Sequence, residues 1–169
     1  MALEDKIKKH EEVIYTTAFS TAAMAIPGTF IPALDIGGII GGWGTMLCII
    51  AANSNRQLDK DTAMKVVTAI MAGAAGYLGG SKLFTFGLQF ILPGIGTVGA
   101  VGFNSLLNFL YTIRLGRFVA LQMEKPEFDT GDWASIIPEI TSVVFAMPSV
   151  MEIREAWKDW TEKSHYKKD

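Results

Sequence analysis

Ionisable residues in this chain fall in short stretches, and the stretches between them are long. Residues 13–55 hold one acid, Asp35, and no base, while residues 66–81 and 83–113 hold neither. Between these tracts lie Arg56, Asp59, Lys60, Asp61 and Lys65, then Lys82 alone, then Arg114, Arg117, Glu124, Lys125 and Glu127. At helical rise, residues 36–53 span about 27 Å, close to the ~30 Å hydrocarbon core of a bilayer. Residues 83–113 exceed one crossing and are interrupted by Pro93 and Gly94. Residues 66–81 reach the required length only if Lys65 or Lys82 snorkels, and residues 13–31 contain Pro27 and Gly28. Four crossings with the N-terminus inside put Lys6, Lys8, Lys9, Arg56, Lys60, Lys65, Arg114, Arg117 and Lys125 on the inner side. Lys82 alone is then outside, which satisfies the positive-inside rule.

Ala, Gly, Met and Leu dominate and alternation with a period of two is not sustained, so the expected class is all-α. The pattern predicts a bundle of Gly-rich apolar helices, embedded in a membrane or associated with one, with amphipathic terminal helices. A first helix is expected over about residues 2–25, ended by Pro27, Gly28 and Pro32, and a second over about 33–52. A third starts from Asp59 as N-cap, and a long one runs from the Pro93 break to about residue 123. A short helix capped by Asp132 is expected to break at Pro138 or Pro148. Val150, Ile153, Trp157 and Trp160 then share one face, with Arg154, Glu155, Lys158, Asp159 and Glu162 covering the other. Trp157 and Trp160 are therefore a candidate interface with a membrane surface, a partner or the protein's own bundle. The chain divides into a helical apolar domain over residues 1–130 and an amphipathic segment over 131–169.

Glycine recurs at the spacing that lets helix backbones approach closely: Gly37 with Gly41, Gly38 with Gly42, and Gly76 with Gly80. Gly96 and Gly99 belong to the same class of packing positions. With Gly94 they also fit the dinucleotide pattern G-x-G-x-x-G, but no strand precedes them and the next acid is Glu124. Asp35 suits the N-terminus of the second helix, where the backbone dipole favours an acid; as the one acid of its tract it is also the candidate functional acid of an ion or proton pathway.

Composition narrows the function classes. The chain has 169 residues, one Cys and a formal net charge of −2. That charge leaves no basic face for nucleic acid, and Cys48 alone offers neither a disulfide framework nor a thiolate metal set. His10 and His165 lie in charged terminal stretches and are expected to be solvated, and Glu139 is expected in a first helical turn after Pro138. There is no phosphate-binding G-x-x-x-x-G-K-S/T loop and no Ser, His and acid team. No catalytic, cofactor-binding or metal-binding residues are expected, and no cofactor. The mixed charge of residues 4–12 is unlike a cleavable leader, so the start reads as mature protein.

At Ile31-Pro32-Ala33-Leu34-Asp35, at the Gly- and Met-rich helix that follows, and at Leu92-Pro93-Gly94-Ile95-Gly96 leading to Asn104 and Leu115-Gly116, the chain resembles a helical domain of unknown function appended to bacterial Era-like GTPases. The resemblance covers roughly residues 27–123. It implies a membrane-associated, non-catalytic module, here without the nucleotide-binding module and so with a GTPase supplied by another chain as partner. The expected function is a non-enzymatic membrane protein that self-associates as a structural or adaptor element. Its expected partners are membrane lipid and a second copy of itself, and its expected place is the bacterial inner membrane with cytoplasmic termini. The alternatives are a channel or transporter-like oligomer and a soluble helical bundle that binds an apolar ligand.

Overall fold

The computed structural model describes residues 3–28, 34–73 and 97–166. These residues form seven α-helices and no strand: α1 (Leu3–Lys8), α2 (Glu11–Gly28), α3 (Leu34–Asn53), α4 (Lys60–Gly73), α5 (Thr97–Met123), α6 (Trp133–Phe145) and α7 (Val150–Glu162), followed by a 3-10 turn at Ser164–Tyr166. The all-α expectation holds. The single first helix expected over residues 2–25 is two helices, because the chain turns at Lys9 and His10 and the His10 amide bonds back to the Ile7 carbonyl at 2.8 Å. That turn allows His10 to point into the protein.

The ends of the helices follow local chemistry. Asp59 caps α4 as expected, its Oδ1 accepting from the Thr62 amide at 2.9 Å. Helix α3 ends at Asn53, and Asn55 in the turn just beyond it takes a left-handed φ of 55°. The Arg56 amide then reaches the Ala51 carbonyl at 2.9 Å and the Asn55 amide the Ala52 carbonyl at 3.0 Å, closing the carbonyls that a helix end leaves open. Asp132 precedes α6 but its side chain makes no capping bond. Of the two breaks expected, Pro148 lies in the one between α6 and α7, whereas Pro138 lies inside α6 and does not break it, so Glu139 sits mid-helix and exposed instead of in a first turn. The local cost of that proline is offset by burial of Ile140, Thr141, Val144 and Phe145 on the inner face of the same helix.

Cross-helix contacts fix the directions. Gly116 of α5 lies against Ile14 of α2, and Thr112 against Thr21, so α2 and α5 are antiparallel. Gly42 of α3 meets Thr17 and Thr21, and Ser54 meets His10, so α3 is antiparallel to α2 as well. Helices α3 and α5 run the same way, Trp43 touching Thr112 and Ser54 touching Glu124. Helix α4 returns along α3, with Met64 against Gly44, and α6 packs on its far end through Thr141 and Gly73. One core results, with Ile14, Trp43, Leu47, Ile50, Phe109 and Leu115 essentially inaccessible, and α6 and α7 add Ile140, Val144 and Ala156 to it.

Candidate functional site

The alternating directions of α2 to α5 gather their uncharged halves at one end of the bundle. Residues 17–28, 66–73 and 97–113 meet there with the first half of α3. Among the described side chains at this end there is no Asp, Glu, Lys, Arg or His; Asp35 falls in the first turn of α3, but its side chain, like Lys82, lies outside the described residues. The exposed positions described in these segments are Ser20, Ala23, Met24, Gly37, Thr68, Ala72, Gly73 and Gly102, with Thr45 just past the midpoint of α3. A water-facing helix surface normally carries charge, and this one is small, apolar or weakly polar. Lys9, Arg56, Lys60, Glu124, Lys125 and Glu127 collect at the opposite end.

The glycines of α3 meet different surroundings, Gly44 standing against Met64 of α4. Gly38 and Gly42 face α2: an added Cβ would stand 2.7 Å from the Met24 Sδ at Gly38 and 3.4 Å from the Thr21 Cγ2 at Gly42. Gly37 and Gly41 face away, with nothing among the described residues within 4 Å of an added Cβ. Gly99 belongs to the first turn of α5, its surroundings outside the described residues, as are Gly76, Gly80 and Gly96.

A hydroxyl hub lies between α2, α3 and α5. The Thr112 Oγ1 accepts from the Trp43 indole at 2.8 Å, lies 2.8 Å from the Thr21 Oγ1 and donates to the Asn108 carbonyl at 2.8 Å. Thr21 and Thr112 are fully buried. In an apolar interior an unmade hydrogen bond is costly, so such a hub fixes the rotation of all three helices.

At the charged end, His10 is fully buried, which corrects the expectation that it is solvated. Its Nε2 faces the Ser54 hydroxyl at 3.4 Å and a Glu124 carboxylate oxygen at 3.8 Å, while its Nδ1 has no partner. Lys9 pairs with Glu124 at 2.6 Å and Ser54 donates to Glu124 at 2.9 Å. Burial and the adjacent Lys9 push the His10 imidazole below its ordinary value, and the hydrogen bond from Lys9 holds Glu124 below the usual carboxylate range. A hydrolytic triad needs the acid and the nucleophile on opposite ring nitrogens. Here both share Nε2 and the hydroxyl bonds the acid directly, so the trio ties α1, α3 and α5 together and offers no activated nucleophile. Arg56 closes the same end, donating to the carbonyls of Met123, Lys125 and Phe128 where α5 terminates. The partners of His10 lie 44 and 114 positions away, and the signal for its burial was its place at helical spacing between Ile7 and Ile14, outweighed by the charged residues beside it.

Helices α6 and α7 meet at 86°. Arg114 holds the elbow, donating to the Val144 carbonyl at 3.1 Å, the Ala146 carbonyl at 2.6 Å and the Glu152 carboxylate at 2.7 Å. Ser149 and Glu152 form a reciprocal capping box at the start of α7. That box was legible as Ser149-x-x-Glu152 before a helical pattern; Arg114 was not. The Ser149 amide and Arg114 together bring the Glu152 carboxyl down to about 2. Trp160 packs inward on Phe19 and Phe109, whereas Trp157 is 59% exposed, so only one of the two candidate interface tryptophans is free. The Tyr15 hydroxyl donates to Asp159 at 2.5 Å and accepts from Arg117 at 3.2 Å, and Lys163 pairs with Glu11. His165 is exposed, as expected.

Among the described residues no group of three or more His, Cys, Asp or Glu side chains could hold a metal ion. No single described helix is long and apolar enough to cross a membrane; residues Gly37–Asn53 form a shorter apolar helix, and α6 with α7 passes by length and composition only as a bent pair. No family model, curated protein or solved structure matches the chain.

Proposed function

We propose that this protein is a non-enzymatic helical membrane module whose uncharged end lies in lipid and whose charged end faces the cytoplasm. The observation that carries this reading is the meeting of four uncharged helix segments, exposed surface included, at one end of an antiparallel bundle. Burial of that end in hydrocarbon removes from water a surface that offers water few hydrogen bonds. The Thr21, Thr112 and Trp43 hub then serves as interhelical polar glue, with its donors satisfied inside the protein. Self-association proceeds through the Gly37 and Gly41 face, where no described residue lies within 4 Å of an added Cβ. In this role the module is structural or adaptor-like in the bacterial inner membrane, and its charged end is the docking surface for a soluble partner, with a GTPase the class suggested by the resemblance of residues 27–123.

Alkaline carbonate extraction of membranes from expressing cells is the test. The protein should remain with the pellet, and its release to the supernatant in step with peripheral proteins would overturn the reading.

A further inference from the structure

The most exposed hydrophobic side chains of the described residues cluster at the α6–α7 elbow, on surfaces that α2 to α5 do not contribute. Met147 is 66% exposed, Val150 70% and Met151 68%, with Val143 one turn before them and Trp157 two turns after. Glu139 is the sole ionisable residue from Trp133 to Met151.

Two further properties say what covers this patch. At an elbow, helix-end carbonyls and amides ordinarily turn to water. Here Arg114 satisfies the Val144 and Ala146 carbonyls from inside, and Ser149 with Glu152 satisfies amides at the start of α7, so the corner can leave water without orphaning these groups. The charge of α7 is also sorted. Its inward acids, Glu152 and Asp159, are engaged by Arg114 and by Tyr15 with Arg117. Its outward stripe at helical spacing carries Val150, Met151, Arg154, Trp157 and Lys158, all exposed, with Glu155 and Glu162 on one shoulder and Glu162 in a solvent-exposed, weak i,i+4 pair with Lys158 at 3.9 Å. Apolar anchors, an exposed Trp and two long cationic side chains on one stripe match a bilayer interface, where cations snorkel to phosphate.

We propose that the elbow and the outer stripe of α7 form a second lipid contact, lying flat in the interface of an anionic bilayer with Met147, Val150 and Met151 among the upper acyl chains and Arg154 and Lys158 at lipid phosphate. This contact shares the membrane setting of the reading above but names a different surface, and the two fail separately.

The test uses the full chain with Cys48→Ala, bearing one nitrobenzoxadiazole label at Val150→Cys or, in a second protein, at Gly37→Cys. Each is reconstituted into phosphatidylcholine vesicles with and without phosphatidylglycerol. At position 150 the label should lose quenching by aqueous iodide and gain quenching by nitroxide-labelled lipid, more so with phosphatidylglycerol. Arg154→Gln with Lys158→Gln should abolish the difference between the two vesicle types. Continued iodide quenching at position 150 overturns the proposal, and so does protection from both quenchers, which would mean that another protein surface covers the elbow. Position 37 reports only on the uncharged end: iodide quenching there defeats that reading while lipid protection at position 150 still establishes the elbow.

Discussion

Small differences in local space decide which glycines are indispensable. An added Cβ at Gly116 would stand 2.7 Å from Cγ1 and 3.1 Å from Cγ2 of buried Ile14, a branched side chain without room to withdraw. Gly116→Ala should therefore destabilise the fold by about 1–3 kcal/mol, the usual cost of overpacking, read from denaturant unfolding in a fixed detergent. An unchanged midpoint would show that α2 and α5 are not in contact there. Gly41 gives the opposite expectation, since its added Cβ meets nothing among the described residues within 4 Å. Gly41→Leu should keep the helical signal and melting temperature while reducing oligomer size on native gels in matched detergent. The same oligomer size would remove Gly41 from the self-association surface.

Elements are joined here by side chains that close helix ends. Arg56 closes α5 and Arg114 closes α6, each reaching backbone carbonyls far away in sequence, so a helix terminus becomes a tertiary contact. The elbow has a pH signature. Glu152 falls from an ordinary 4.5 to about 2, first through the Ser149 amide and then through Arg114. A depressed carboxyl stabilises the fold above its unfolded value, and that stabilisation fades as the pH falls from about 4.5 towards 2. Protection of the first turn of α7 against hydrogen exchange, taken relative to the intrinsic rate at each pH, should thus fall across that window, and Glu152→Gln should be weakly protected at neutral pH and flat across it. A wild-type first turn that stays equally protected from pH 5 down to about 2 would contradict the Arg114 and Ser149 anchoring.

For the molecule as a whole, alternating helix direction turns a one-dimensional charge pattern into two ends. Residues 54–60 and 124–127 lie at the same end although some 70 positions separate them. Single cysteines at Lys60 and at Glu127, in a Cys48→Ala background, should accordingly react with a membrane-impermeant maleimide from the same side of inside-out vesicles. Reaction from opposite sides would break the proposed orientation.

Helix content, the ends at Asn53 and Met123, the Asp59 cap and the segregation of charge were legible in the sequence, because each depends on neighbours within a few residues or on the water-avoidance of whole tracts. The interruption at His10, the passage of α6 through Pro138, the different surroundings of the α3 glycines, and the inward turn of Trp160 were not. Each is settled by what another helix presents: Ser54 and Glu124 to the imidazole, the α4 and core surfaces to α6, Met24 and Thr21 to Gly38 and Gly42, and Phe19 with Phe109 to the indole. Periodicity establishes that a face is apolar, while the partner for that face depends on rotation and crossing, which arise only when all the helices pack together.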